Sequence, residues 1–328
     1  MNSVRVVVTG ATGQVAYALL PRIAAGEMFG PDTEVDLRLS DIPAMIEKAK
    51  GVVMELEDGA YPLLANVTAS GDRAESHREA DWVLLVGSVP RGPGMERGDL
   101  IRKNGPIFVD EGKAIAQYGS KNVRAVVIGN PCNTNCLIAR HAAGDRVPAD
   151  RWTALTRLDQ NRATSLLARK AGARTRDVKH LAIWGNHSAT LYPDFTNATV
   201  GGKPADQVVE RVWLETELIP AVQQRGAAVI EARGSSSAAS AANAAVDHIH
   251  DWMLGTPADD WVSMAVCSDG SYGVTEGLIS GFPVTTMDGT YEIVTGLEID
   301  AFSRGRIDAS VAELVEERDA VGELGLLG

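Results

Sequence analysis

The stretch Val4-Arg5-Val6-Val7-Val8-Thr9-Gly10-Ala11-Thr12-Gly13-Gln14-Val15-Ala16 decides the fold. Its first six residues, β-branched except for Arg5, have the composition of a strand buried on both faces of a parallel sheet. Glycines follow at once, and then Tyr17, Leu19, Leu20 and Ile23 recur at helical spacing. A strand that turns through glycines into a helix aims the first N–H groups of that helix at a pyrophosphate. The spacing G-x-x-G-x-x-A departs from the common G-x-G-x-x-G, so the reading rests on the strand-to-helix context as much as on the glycines. Gly10, Ala11, Thr12, Gly13, Gln14, Val15 and Ala16 are the expected dinucleotide contacts.

The next apolar run, Val35-Asp36-Leu37-Arg38-Leu39-Ser40, ends at Asp41. An acid there accepts hydrogen bonds from the adenosine ribose and repels a 2′-phosphate, which predicts NAD rather than NADP. The competing reading has Asp41 cap a helix beginning near Pro43. Further strands are expected at about 66–70, 81–87 and 123–129, with helices between them. That alternation predicts an α/β class fold, a Rossmann-type doubly wound parallel sheet forming an NAD-binding domain over residues 1–154.

Beyond it, a mixed α+β second domain is expected over residues 155–328. Its elements read as a helix from about 157 to 172, a strand at 180–185 and a helix from about 205 to 232. Strands near 261–267 and 291–294 follow, with a hairpin turn at Asp288-Gly289, then a charged final helix from about 299 to 319. The Ser/Ala tract 235–242 reads as the packed start of a helix rather than a linker.

With 328 residues, of which 45% are apolar, the chain can bury a large core, and two domains suit it better than one. A net charge of −12 argues against nucleic acid as a partner, because phosphate neutralisation calls for a basic surface. No amino-terminal signal pattern or membrane-length apolar run is visible, so a cytoplasmic location is expected. The three cysteines, Cys132, Cys136 and Cys267, make neither a disulfide framework nor a paired metal signature, and no metal is expected. His248 and His250, two apart in a helical pattern, do not share a face and are expected in solvent.

Several segments carry chemistry. Val89-Pro90-Arg91-Gly92-Pro93-Gly94-Met95-Glu96-Arg97 sets two arginines on a glycine- and proline-punctuated loop after an apolar strand, a lid suited to a small carboxylate. Asp159 and Arg162, three apart near the start of the 157–172 helix, form either a surface ion pair or a divided duty. In the second case Asp159 orients a histidine and Arg162 clamps a carboxylate. His187, in Trp184-Gly185-Asn186-His187-Ser188, stands just past a strand end among small polar residues. Asn130, before Pro131, offers an amide to a substrate oxygen.

These segments lie in family order along nearly the whole chain, with Met54-Glu55-Leu56, Gly129-Asn130-Pro131-Cys132-Asn133-Thr134-Asn135-Cys136, Thr156-Arg157-Leu158-Asp159-Gln160-Asn161-Arg162-Ala163 and Gln223-Gln224-Arg225-Gly226 among them. Together they resemble the malate dehydrogenases, in the cytosolic-type branch of the lactate/malate dehydrogenase family. The resemblance implies an NAD-dependent dehydrogenase of malate and oxaloacetate, assembled as a homodimer. His187 would be the general acid/base and Asp159 its partner. Arg162 would clamp the carboxylate beside the reacting carbon, Arg91 the distal one, and Arg97 with Asn130 would polarise the carbonyl oxygen. Implied cofactor contacts include Asp41, Gly87, Ser88, Asn104, Ile128, Gly129, Asn130 and position 111. There Glu111 replaces the glutamine of the family pattern. A carboxylate near cofactor phosphates would be repelled, so contact with NAD and a turn toward solvent both stand open for Glu111. A lactate dehydrogenase-like enzyme is the nearest rival, disfavoured because Arg91 would face no charge on a monocarboxylate. A non-catalytic NAD sensor is the rival of another class, disfavoured because competent residues fill every implied catalytic position.

Overall fold

The structure, a computed structural model, describes residues 2–90 and 97–327; Arg91 and the side chain of Arg97 lie outside the described residues. Six strands, β1 (Asn2–Thr9), β2 (Thr33–Ser40), β3 (Leu64–Ser70), β4 (Trp82–Leu85), β5 (Arg124–Val127) and β6 (Trp152–Ala154), pair in parallel in the order β3-β2-β1-β4-β5-β6. This is the doubly wound arrangement that the alternating pattern predicts.

The sheet does not stop there. Strands β7 (Val262–Cys267), β8 (Ile279–Met287) and β9 (Thr290–Ile293) continue it antiparallel from β6, making one sheet of nine strands across both halves of the chain. The β8–β9 turn is the one expected: Asp288 (φ 50°) and Gly289 (φ 75°) both take the left-handed conformation that matches strand twist in a two-residue hairpin. Strand β8 escapes the sequence pattern because Gly281 and Pro283 interrupt it. Gly281 is there for close approach, since a Cβ on it would lie 2.7 Å from the Ile183 carbonyl oxygen of the crossing strand Ala182–Trp184.

The helices are α1 (Gln14–Ala24), α2 (Ile46–Asp58), α3 (Arg97–Tyr118), α4 (Cys132–Ala143), α5 (Arg157–Lys170), α6 (Ile219–Arg233), α7 (Ala239–Leu254) and α8 (Ala301–Glu323). Three expectations need correction. The helix expected over 205–232 is broken into turns at Ala205–Val208 and Arg211–Trp213 and a π-helical stretch, Leu214–Leu218, before α6, where Pro220 supplies no N–H. The strand expected at 180–185 is shorter, Ala182–Trp184, and His180 at φ 58° turns the chain into it from Val178–Lys179, a strand of another sheet. The helix in the Ser/Ala tract starts only at Ala239.

The expectation that His248 is solvated also fails. It is fully enclosed on α7, and its Nε2 meets Thr153 Oγ1 of β6 at 2.9 Å. Burial, and then the charge of Arg157, push its pKa down to about 3, so the ring is neutral at ordinary pH. Period counting placed it correctly on the helix but could not show that this face packs against the sheet.

The two halves share a core. Trp82 of β4 meets Trp252 of α7 edge-on at 5.1 Å, and Phe29 joins Trp82 at 5.7 Å. No helix among the described residues is long and apolar enough to cross a membrane. Trp252→Ala should cost about 3–5 kcal/mol, the usual range for truncating an enclosed aromatic. The loss is to be read from the urea midpoint as one cooperative transition. An amino-terminal half that melted unperturbed would show that the halves fold separately.

Candidate active site

The carboxyl ends of β1 and β4 meet glycine to glycine. Gly10 sits at φ 59°, and a Cβ on it would fall 2.5 Å from the Cα of Gly87, so any side chain would push the strand ends apart. Helix α1 then starts at Gln14, with Gly13 before it as the N-cap and no side chain capping it. Gly13 and Gln14 are exposed, so the first N–H groups of the helix open outward, with no side chain from Gly10 or Gly13 over them. That is the shape and polarity a pyrophosphate needs, and NAD fits it.

Asp41 faces this turn. Its Oδ2 accepts from the Thr12 N–H at 3.0 Å and the Thr12 hydroxyl at 2.8 Å, and its Oδ1 from the Ile42 N–H at 2.9 Å. The helical turn at Pro43–Met45 has no side-chain cap, so the capping reading of Asp41 does not hold. Ser88 and Gly129 lie against each other, a Cβ on Gly129 falling 2.9 Å from that of Ser88. Ile128 is half-buried and Asn130 exposed at the end of β5. Asn104 is fully enclosed on α3. Its Oδ1 accepts from the Val89 N–H at 2.7 Å, and its Nδ2 donates to the carbonyls of Val89 at 3.2 Å and Asn130 at 3.4 Å, bracing both loops.

Glu111 does not turn to solvent. It is 5% exposed, accepts from Arg73 Nε at 2.6 Å and lies 3.1 Å from His77 Nε2, itself fully buried. Burial pushes its carboxyl upward, but His77 and then Arg73 outweigh that and hold it below the ordinary carboxylate value.

The second group gathers around α5. Asp159, fully buried, shares its Oδ2 with His187 Nδ1 and receives Arg162 Nη1 on Oδ1 at 3.2 Å. Both readings of the Asp159 and Arg162 spacing are therefore partly realised: the two touch, yet deep in the fold, with the histidine on the other oxygen. The His187 side chain is 20% exposed and that of Arg162 13%, enough for each to present one face to a cleft. Arg162 Nη2 donates to Ser237 Oγ at 3.2 Å, just before α7. The His187 backbone N–H donates to Asn133 Oδ1 at 3.0 Å, and Asn133 Nδ2 donates onward to the Ile279 carbonyl at 2.9 Å.

Sequence reasoning missed Ser237, absorbed into a packing tract, and the part played by Asn133, which stood inside a quoted motif with no role assigned. Neither contact has a local signal, because each joins segments far apart in the chain. Cys132 and Cys136 are buried on α4, and burial first, with Cys132 adding to it, holds the Cys136 thiol well above its ordinary pKa. Among the described residues, no group of three or more His, Cys, Asp or Glu is placed to hold a metal ion.

Residues 4–148 match the lactate/malate dehydrogenase NAD binding domain, and residues 156–324 the lactate/malate dehydrogenase alpha/beta C-terminal domain. A malate dehydrogenase from Naegleria fowleri is 44% identical over 99% of both chains, with a TM-score of 0.94. The lactate dehydrogenase of Trichomonas vaginalis, solved with NADH and oxamate, is 34% identical over 98% of this chain and 99% of its own, also at a TM-score of 0.94. The glycine cradle and the His187, Asp159 and Arg162 cluster thus occur in a chain that belongs to the lactate/malate dehydrogenase family of oxidoreductases, with an NAD-binding amino-terminal half.

Proposed function

We propose that this protein is a malate dehydrogenase, interconverting (S)-malate and oxaloacetate. The observation that carries the chemistry is His187 closed on the buried carboxylate of Asp159, with Arg162 beside it. With Nδ1 engaged by Asp159, His187 takes the hydroxyl proton of malate on Nε2 and returns it in the reverse direction. The Asp159 carboxylate fixes the ring's tautomer and stabilises the imidazolium that results. Arg162, steadied by Ser237, offers its remaining donors to the carboxylate beside the reacting carbon. Asn130 and Arg97 orient and polarise the carbonyl oxygen. NAD, when bound, supplies the acceptor for the hydride of the substrate carbon.

The choice of malate over lactate rests on Arg91 in the sequence, which matches a second carboxylate in charge and shape, together with the 44% identical malate dehydrogenase. The 34% identical lactate dehydrogenase of Trichomonas vaginalis supports a monocarboxylate enzyme as the second reading. NADH oxidation with oxaloacetate, pyruvate and 2-oxoglutarate separates the two, and the dicarboxylate oxaloacetate should be by far the best substrate. Arg91→Gln should lower kcat/KM for oxaloacetate by roughly 3–5 kcal/mol, the cost of stranding a desolvated charge, while pyruvate loses little. An undiminished preference for oxaloacetate in that variant would remove Arg91 as the selector.

For assembly, a homodimer is supported by apolar side chains standing in solvent on the helices of one chain. Tyr17 on α1 is 50% exposed and Met54 on α2 is 61% exposed, and Tyr17 Oη donates to Glu55 of α2 at 2.8 Å. Light scattering should give twice the chain mass, and Met54→Lys should shift it toward one chain; a monomer in the unmodified protein would end this reading.

His187→Asn should reduce turnover by at least ~10²–10⁴-fold with NADH binding nearly intact. Asp159→Asn should also be slow, and the double variant scarcely worse than His187→Asn. Losses that multiplied in the double variant would mean independent roles for the two residues.

A further inference from the structure

Helix α8 buries a stripe of Ile307, Ser310, Leu314, Glu317 and Val321, at the three- and four-residue spacing of one helix face. Leucine or isoleucine would be the expected occupant of the fourth position. Glu317 is only 6% exposed, and a carboxylate so enclosed is costly unless its oxygens are well partnered. Its Oε1 accepts from Asn186 Nδ2 at 2.7 Å, and its Oε2 accepts from the Thr134 hydroxyl.

The two arms end beside His187 from opposite directions. Asn186 immediately precedes His187. Thr134 immediately follows Asn133, whose side chain accepts from the His187 backbone N–H at 3.0 Å. Thr134 and Asn133 belong to the first turn of α4, which starts two residues after Asn130. One carboxylate on α8 thus ties the loop carrying the histidine to the helix start next to the asparagine at the end of β5. Other α8 contacts converge on the same loop. The Asn186 N–H donates to Ser310 Oγ at 2.8 Å, and a Cβ on Gly185 would fall 2.1 Å from that oxygen. Glu313 Oε2 accepts from Asn186 Nδ2 at 3.0 Å, from Thr190 Oγ1 at 2.6 Å and from the Ser188 hydroxyl.

We infer that Glu317 is a positioning residue for the reaction, setting the place of His187 relative to Asn130 by holding Asn186 and Thr134 together. The inference rests on the reading of His187 as the proton-transfer group. Misplacement of a reacting group by about an ångström costs on the order of a hundredfold in rate, so a brace with no substrate contact can govern turnover.

The test measures kcat with oxaloacetate and the NADH dissociation constant in the full-length protein. Glu317→Ala should lower kcat roughly 10- to 100-fold while NADH affinity stays within about twofold. Glu317→Gln should recover most of the loss, because its amide oxygen accepts from Asn186 and its amide nitrogen donates to the Thr134 hydroxyl, which can accept as well as donate. In a His187→Asn background, Glu317→Ala should cost no more than about twofold, since the brace then has nothing left to place. Should the alanine variant not fold, Thr134→Val removes one arm alone, with several-fold loss of kcat expected and the same dependence on His187. A folded Glu317→Ala or Thr134→Val enzyme with normal kcat, a parallel loss of NADH affinity, or an equal loss without His187 would overturn the inference. Near-normal turnover in His187→Asn alone would instead overturn the proton-transfer reading, and the brace with it.

Discussion

A short seam governs the arrangement of this molecule. Strand β6 is three residues long, and it pairs in parallel with β5 on one side and antiparallel with β7 on the other, Ala154 opposite Ala265 and Thr153 opposite Val266. Every residue of β6 is buried, and Thr153 Oγ1 also holds His248 of α7. Without that pairing the nucleotide-type sheet would end at an edge, and the antiparallel strands would be free to sit elsewhere. With it, the strand Ala182–Trp184 is carried beneath β8 and delivers Gly185, Asn186 and His187 to the carboxyl end of β5. A cleft at the carboxyl ends of parallel strands, where the strand order reverses, is where this kind of sheet leaves room for a ligand.

Electrostatics then make the cleft a chemical site. Asp159 has no access to water, and a buried charge persists only if it is paired and hydrogen-bonded. Both of its oxygens are taken, one by His187 and one by Arg162. The same carboxylate fixes the orientation of both His187 and Arg162, which explains why an acid and an arginine three apart on a helix are here more than a surface pair. Glu111, Arg73 and His77 show a different use of the same physics, a buried carboxylate held by a guanidinium and an enclosed imidazole, on elements distant in the chain from Asp159 and His187. Helix α8 adds a third, with Glu317 placed where an apolar stripe would ordinarily continue and Glu313 half-buried beside it. Each of the three is built around a buried carboxylate, partnered by arginine and histidine at Asp159 and Glu111 and by amide and hydroxyl donors at Glu317.

Much was determined by the sequence itself. The β1-to-α1 turn was legible because a valine run, two glycines and a helical period are local features with few other physical solutions, and the Asp288-Gly289 hairpin was legible because only certain residues tolerate two successive left-handed conformations. Resemblance to a family then assigned roles to His187, Asp159 and Arg162 that no spacing between residues 159 and 187 could provide. What only the tertiary structure decided is where long-range partners fall: that β6 continues into β7, that His248 faces the sheet and not water, that Glu111 is enclosed, and that Glu317 meets Asn186 and Thr134. Periodicity tells which residues share a face, but the face's neighbour comes from packing between segments distant in the chain, and a polar residue's cost or use is set by that neighbour alone.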